Sequence, residues 1–245
     1  MNWTLNPEYA TGVSGKAFAD LDTVFALQGE VITKDPMSSV HRIWVGDRYY
    51  FLKRYNAAGK YLRRYVGRPR VQAEWENLLY FKAWGIPAAT VAAFGMERRG
   101  GAFVRGALIT EALADTADLA YLAERCPEQF ADIAWLGRVS RQVAHATRMM
   151  HEQGFVHNDL KWRNILVDKQ VRVFLIDCPT GAFWWGPMLR YRQIKDLACL
   201  DKLGKKRLSR TQRLRFYLTY SGQQRLDPSD KKTIRKVLTF FEGRE

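Results

Sequence analysis

The chain has 245 residues, a formal net charge of +14 and three cysteines, a length that fits one large domain or two lobes sharing a cleft. No stretch approaches the ~18 consecutive apolar residues of a membrane span. Met1 to Tyr9 lacks the basic and apolar regions of a secretion signal, and Cys126, Cys178 and Cys199 show neither CxxC nor Cys/His spacing. These features exclude a spanning helix, a disulfide framework and a zinc site, and the chain is expected to stay in the cytoplasm with reduced thiols. The charge is uneven: Arg48 to Arg70 holds eight Lys/Arg and no acid, and Arg190 to Glu245 holds sixteen Lys/Arg against six Asp/Glu, a net of +10. Such basic tracts suit an anionic partner, which could be a nucleic acid, a phospholipid surface or a phosphorylated substrate.

Taken in chain order, residues 1–110 carry short β-type runs, "VFAL", "EVIT", "VHRIWV", "RYYFLKRY", "ATVAAF" and "GALIT", separated by Gly, Asp and Pro signals. One helical pattern interrupts them, "RVQAEWENLLYFKAWG", whose apolar Ala73, Leu78, Leu79, Phe81 and Ala83 mark one face and whose Gly85 supplies the stop. Residues 111–245 turn helical: "DTADLAYLAER" first, then a long helix from "PEQFADIAWLG" to Gly154, with Pro127 in its first turn. Two β runs, "ILVD" and "VRVFLID", follow the loop "HNDLKWRN". Helices resume at "QIKDLACLDKLG", "RTQRLRFYLTYSG" and "PSDKKTIRKVLTFFEG". The expected architecture is α+β and bilobal: a β lobe with one helix over 1–110, and a mostly helical lobe over 111–245 with a cleft as the natural binding site.

Phosphoryl transfer needs positioned charge more than covalent help: metal on the phosphates, a cation on their oxygens, a carboxylate at the attacking hydroxyl. In "HNDLKWRNILV", Asp159 precedes Asn164 by five residues, the spacing of the catalytic loop H-R-D-L-x-x-x-N, and His157 and Leu160 match it as well. Asp177 ends the apolar run "VFLI" eighteen residues after Asp159, and the intervening hairpin brings the two loops side by side. Upstream, Lys53 shares a strand face with Tyr49 and Phe51. A lysine among aromatics on an inward face needs an anion, to which Glu74 of the following helix could contribute. Its neighbour Arg54 reads as part of an exposed basic strand.

These stretches, with "AEWENLLYFKAWGIP", "LIDCP" and "GPMLRYRQIKDLACLDK", resemble a protein-kinase-like fold, and most closely the bacterial lipopolysaccharide core kinases of the InaA, heptose kinase and Kdo kinase type, over nearly the whole chain. The resemblance implies ATP and Mg²⁺ or Mn²⁺ as cofactors. It implies that Lys53 holds the α- and β-phosphates while Glu74, with Glu76 as fallback, fixes its ammonium. Asp159 would orient and deprotonate the acceptor hydroxyl, Lys161 would neutralise the γ-phosphoryl group, and Asn164 and Asp177 would bind the metal. Backbone groups of Glu111 and Leu113 are candidates for the adenine edge, and Asp196 resembles the buried acid that anchors the catalytic loop from a later helix.

Departures from the pattern carry information too. Asn158 stands in place of the usual arginine, which argues against activation by loop phosphorylation. "DCP" replaces D-F-G, and Pro179 fixes φ, so a fixed metal loop is expected. No A-P-E tract follows. Where a glycine-rich loop is usual, "ITKDPMSSVHRIWV" has no glycine, and Ser38 and Ser39 are candidates to meet phosphates. Phe51 stands where alanine is usual and must crowd or stack on the nucleotide. Without a peptide-docking segment, a small or lipid-linked hydroxyl acceptor is favoured over protein. The basic tail, with Trp184 and Trp185 as an amphipathic handle, points to the anionic inner-membrane surface. The expected partner is a lipid-linked core saccharide. No nucleic acid is expected, because the tail lacks an aromatic single-strand platform. The alternatives are a kinase of a soluble small molecule or protein, or a non-catalytic kinase-like scaffold.

Overall fold

The computed structural model describes residues 2–57 and 65–243; Lys60, Arg63 and Arg64 of the acid-free tract lie outside them. Two compact units result, one from residues up to Ala83 together with Ala88–Leu113, the other from Trp84–Pro87 together with the residues from Ala114 onward.

In the first unit β1 (Asn2–Leu5), β2 (Glu30–Lys34), β3 (Ser38–Val45), β4 (Arg48–Tyr55), β5 (Val91–Arg99) and β6 (Ala102–Glu111) form an antiparallel sheet in the order β1-β5-β6-β4-β3-β2. Strand β4 alternates as a half-buried strand should. Tyr50 and Leu52 enter an apolar cluster with Phe18, Leu21, Val24, Ile43 and Ile109. Lys53 and Tyr55 meet α3 (Arg70–Ala83) through Glu74, and Trp75 of α3 stacks on Phe94 of β5 at 4.3 Å. Gly85 stops this helix region at φ +70°, a conformation ordinarily closed to residues bearing a Cβ.

Two short helices, α1 (Gly12–Ala17) and α2 (Leu21–Ala26), accompany α3 in this unit. The run "VFAL" therefore belongs to a helix rather than a strand. Asp20 caps it by accepting from the Thr23 amide at 2.7 Å, and Leu21 and Val24, one turn apart, are buried. Strand propensity of Val and Phe misleads here because burial on the sheet decides. Arg54 also differs from the sequence reading. Its guanidinium donates to the Val24 carbonyl at 3.1 Å and to the Leu27 carbonyl, so it satisfies the open end of α2 instead of lying on an exposed strand. Residues near Met1, unremarkable in sequence, supply edge strand β1. Trp3 pairs with Gly95, where a Cβ would fall 2.4 Å from the Asn2 carbonyl oxygen; only glycine lets β1 approach.

The second unit contains α4 (Leu119–Arg125), α5 (Ile133–Glu152), α6 (Gly186–Arg207), α7 (Arg210–Ser221) and α8 (Pro228–Leu238). β7 (Thr116–Asp118), β9 (Ile165–Asp168) and β10 (Val173–Leu175) form a sheet in the order β10-β9-β7, and β8 (Phe155–Val156) pairs with β11 (Ala182–Phe183). "DTAD" is thus a strand leading into α4, held by pairing of Thr116 and Ala117 with Asp168 and Val167. The long helix begins later than Pro127, which opens a separate 3₁₀ turn. Asp132 caps α5 by accepting from Ala134 and Trp135. Val139, Val143 and Met150 form its buried stripe. The tail helices start where their caps predict, with capping boxes Ser209/Gln212 and Asp227/Asp230. No described helix is long and apolar enough to cross a membrane.

Candidate active site

Two clusters hold the residues singled out by sequence. In the first unit, Lys53 Nζ lies 2.9 Å from Glu74 Oε2 and 3.2 Å from Oε1. The Tyr55 hydroxyl donates to the same Oε2 at 2.5 Å. The two ionic side chains are only 17% and 8% exposed, so each needs the other to offset lost hydration. Burial, and then the Glu74 carboxylate, push the Tyr55 hydroxyl well above its usual range, which keeps it a donor. Glu76, the fallback, is occupied elsewhere, by Arg68 and Gln72, each at 2.7 Å. At the end of β6 the Glu111 amide donates to the Thr90 carbonyl at 2.9 Å, and the Glu111 side chain accepts from Arg48 at 2.9 Å and from the Tyr9 hydroxyl. Leu113 closes the unit. Ser38 and Ser39 turn their hydroxyls to Asp35 and His41, both at 2.9 Å, so the β2–β3 turn is braced by its own side chains.

In the second unit the loop after β8 is held at both ends by α6. The His157 amide donates to Asp196 Oδ2 at 2.7 Å, and the Trp162 indole donates to the Leu200 carbonyl at 2.9 Å. Asp196 therefore sits where an anchoring acid is needed, fully buried. Within the loop the Asn164 amide nitrogen donates to the Asp159 carbonyl at 2.8 Å and to its Oδ2 at 3.3 Å. Lys161 Nζ is 2.5 Å from Asp159 Oδ1, and an Arg163 guanidinium nitrogen is 3.6 Å from Oδ2. The Ile176 amide donates to the Asn164 carbonyl at 3.0 Å, which places Asp177 next to Asn164. Asp177 has φ +55° and Asn158 φ +65°, a region where Asp and Asn are the commonest non-glycine residues.

Electrostatics give these groups distinct roles. Burial pushes the Asp159 carboxyl up, but Lys161, Arg163 and Asn164 together outweigh it and hold the group below the usual aspartate range. An ionised carboxylate of this kind is a weak proton sink and a good hydrogen-bond acceptor, fitted to orienting a hydroxyl. His157 goes the other way: burial pulls its pKa down against the opposing pull of Asp196, Asp177 and Asp159, leaving a neutral ring in the core. Among the described residues no group of three or more His, Cys, Asp or Glu could hold a metal ion. The donors present still suit a hard cation shared with phosphate oxygens. Asn164 spends its amide nitrogen on Asp159, so its oxygen is the atom it can offer a cation, beside a second carboxylate.

Several working residues lie outside the kinase motifs. Tyr55, two positions beyond Lys53 on the same strand face, could have been found by alternation. Trp162, stacked on Phe130 at 5.6 Å, and Arg192, which donates to Asn158 Oδ1 at 3.3 Å, depend on tertiary contacts. The Asn158 amide in turn donates to the Thr180 carbonyl at 2.8 Å, tying the segment after Asp177 to the loop. Trp184 and Trp185 do not act as a pair. Trp184 lies under the Arg192 guanidinium, 4.7 Å from its ring centre, whereas Trp185 is 80% exposed.

A search of the curated proteins finds no match. Among solved structures the chain is similar to one described as "WaaP in complex with acyl carrier protein", with a TM-score of 0.77, 23% identity and coverage of 100% of this chain and 98% of that one; at that identity the likeness establishes the kinase-like fold. The sequence description of the lipopolysaccharide kinase (Kdo/WaaP) family matches residues 24–220. That match runs from α2 through the Lys53 and Asp159 clusters to α7, and the chain belongs to the lipopolysaccharide kinase (Kdo/WaaP) family.

Proposed function

We propose that this kinase transfers the γ-phosphoryl group of ATP to a hydroxyl of heptose or Kdo in the lipid-linked lipopolysaccharide core, with Mg²⁺ or Mn²⁺, as a peripheral protein on the cytoplasmic face of the inner membrane. One observation carries the reading: Asn164 closes the loop onto Asp159 while the Ile176 amide holds Asp177 beside it. In this reading Lys53, fixed by Glu74 and Tyr55, binds the α- and β-phosphates. Any contact of Glu111 with the adenine edge runs through its carbonyl, because its amide is engaged by Thr90, and Leu113 supplies the next backbone group. Asn164 and Asp177 hold the divalent cation, whose chemistry is to neutralise charge on the phosphate oxygens. Asp159, held ionised by Lys161, Arg163 and Asn164, orients the acceptor hydroxyl and accepts its proton. Lys161 offsets charge on the transferred group. A soluble or protein acceptor is the alternative within catalysis, and a non-catalytic scaffold the alternative outside it.

A second reading concerns partners. The net +10 of Arg190 to Glu245 suits an acidic protein as well as a lipid surface, and the WaaP structure was obtained with acyl carrier protein.

The test uses labelled ATP with a panel of dephosphorylated core saccharides, soluble sugars and a generic protein substrate. Asp159→Asn keeps shape and loses charge, so turnover on a core saccharide should fall roughly 10²- to 10⁴-fold with ATP affinity retained. Parental turnover by that variant would remove Asp159 from catalysis, and transfer confined to soluble acceptors would replace the core saccharide as substrate.

A further inference from the structure

The segment that follows Asp177 presents an unusual surface. From Gly181 to Lys195 there are three cations and no acid. Trp185 is 80% exposed, Met188 47% and Tyr191 42%. Trp185 directly precedes α6, and Met188 and Tyr191 are neighbours three residues apart on its first turns. Trp185 is also the N-cap of α6 and makes no side-chain capping bond, in a position where Ser, Thr, Asp or Asn would stabilise the helix. An indole that neither caps nor packs is retained at a cost to solubility and helix stability, which indicates a partner. Exposed Arg190 lies in the same turns.

This surface is fixed rigidly to the loop that carries Asp159. Ala182 pairs with Val156, the residue before His157. Arg192 braces both Asn158 and the ring of Trp184, and the Trp184 amide donates to the Gly154 carbonyl at 2.8 Å.

We propose that Trp185 and Met188 form a lipid-facing surface that seats the protein on an anionic leaflet, with the indole and thioether entering the headgroup–acyl boundary and the cations of the acid-free segment Gly181 to Lys195 supplying the attraction to lipid phosphates. An amphipathic ring belongs at that boundary, and acid-free basic flanks draw it to anionic lipid. The bracing then holds the acceptor-orienting loop at a set height above the leaflet, where a lipid-anchored sugar presents its hydroxyl. That last consequence rests on the kinase reading above; the lipid contact does not.

The experiment is co-sedimentation of the full chain with phosphatidylcholine vesicles containing phosphatidylglycerol, together with quenching of tryptophan emission by lipids brominated on their acyl chains. Trp185→Ala/Met188→Ser alters exposed side chains and should lower partitioning on the order of tenfold or more. Trp185→Phe should keep most of the binding and lose much of the quenching. Parental binding by the double variant overturns the proposal, as does loss of binding only on charge reversal of Lys231 and Lys232 in α8. Equal binding to vesicles of phosphatidylcholine alone overturns the anionic preference. If the parent transfers phosphate to no core saccharide while its vesicle binding still depends on Trp185, the kinase reading fails and the lipid surface stands.

Discussion

Removing one member of the Lys53–Glu74–Tyr55 group should cost the first unit more than any contact on its surface. At 2.9 Å and an effective dielectric of about 20, the gross Lys53–Glu74 attraction is roughly 6 kcal/mol, most of it cancelled by desolvation of both ions. Deleting one partner leaves the other charge buried, so Lys53→Met and Glu74→Gln should each destabilise by about 3 kcal/mol. The double variant should cost less than the two singles together by about 2 kcal/mol, because no orphaned charge is left. Tyr55→Phe should cost about 1 kcal/mol for one buried hydrogen bond. Native-state amide exchange of β4 and α3 in increasing urea reads this opening locally, apart from the helices of the second unit. Strict additivity of the single variants within about 0.5 kcal/mol would refute the coupling. Parental ATP affinity in Lys53→Met would detach the pair from nucleotide binding.

Excess chelator should abolish measurable ATP binding by calorimetry, and Asp177→Asn should weaken the Mg²⁺-dependent part of it; equal affinity with and without metal would remove Asn164 and Asp177 from the site. Asp196→Ala leaves the His157 amide buried without its acceptor and should lower stability by about 3 kcal/mol, read from the denaturation midpoint; a loss under about 1 kcal/mol would show that the Trp162 tie alone holds the loop. His157 has a folded pKa below its ordinary 6.5, so between the folded and unfolded values only the unfolded state binds the proton. Its contribution is complete above about pH 6.5 and is lost as pH falls from there through the folded pKa; His157→Leu should flatten the fall in urea midpoint between about pH 6.5 and pH 5.

How legible each part was follows from how local its causes are. The capping boxes at Ser209 and Asp227, and the glycine stops at Gly85 and Gly222, act over three or four residues, so the tail helices and α3 could be read directly. The Asp159 to Asn164 spacing is of the same kind, because a short loop closed by one amide on one carbonyl fixes its own length. "VFAL" failed for the opposite reason. Its helix depends on Leu21 and Val24 finding the sheet, and the only local clue, Asp20 three residues before Thr23, is a weak cap signal. Arg54 looked like surface because nothing near it in sequence reveals that the carbonyls of Val24 and Leu27 lie within its reach. Asn158 is the most instructive case. As a departure from the kinase pattern it could be read only as a missing cation, yet its left-handed backbone and its bonds to Thr180 and Arg192 brace the loop. The segment after Asp177 is tied to the loop by the Asn158 amide on the Thr180 carbonyl and by the Thr180 hydroxyl on the His157 carbonyl, contacts between residues far apart in sequence, which is why no local pattern discloses them.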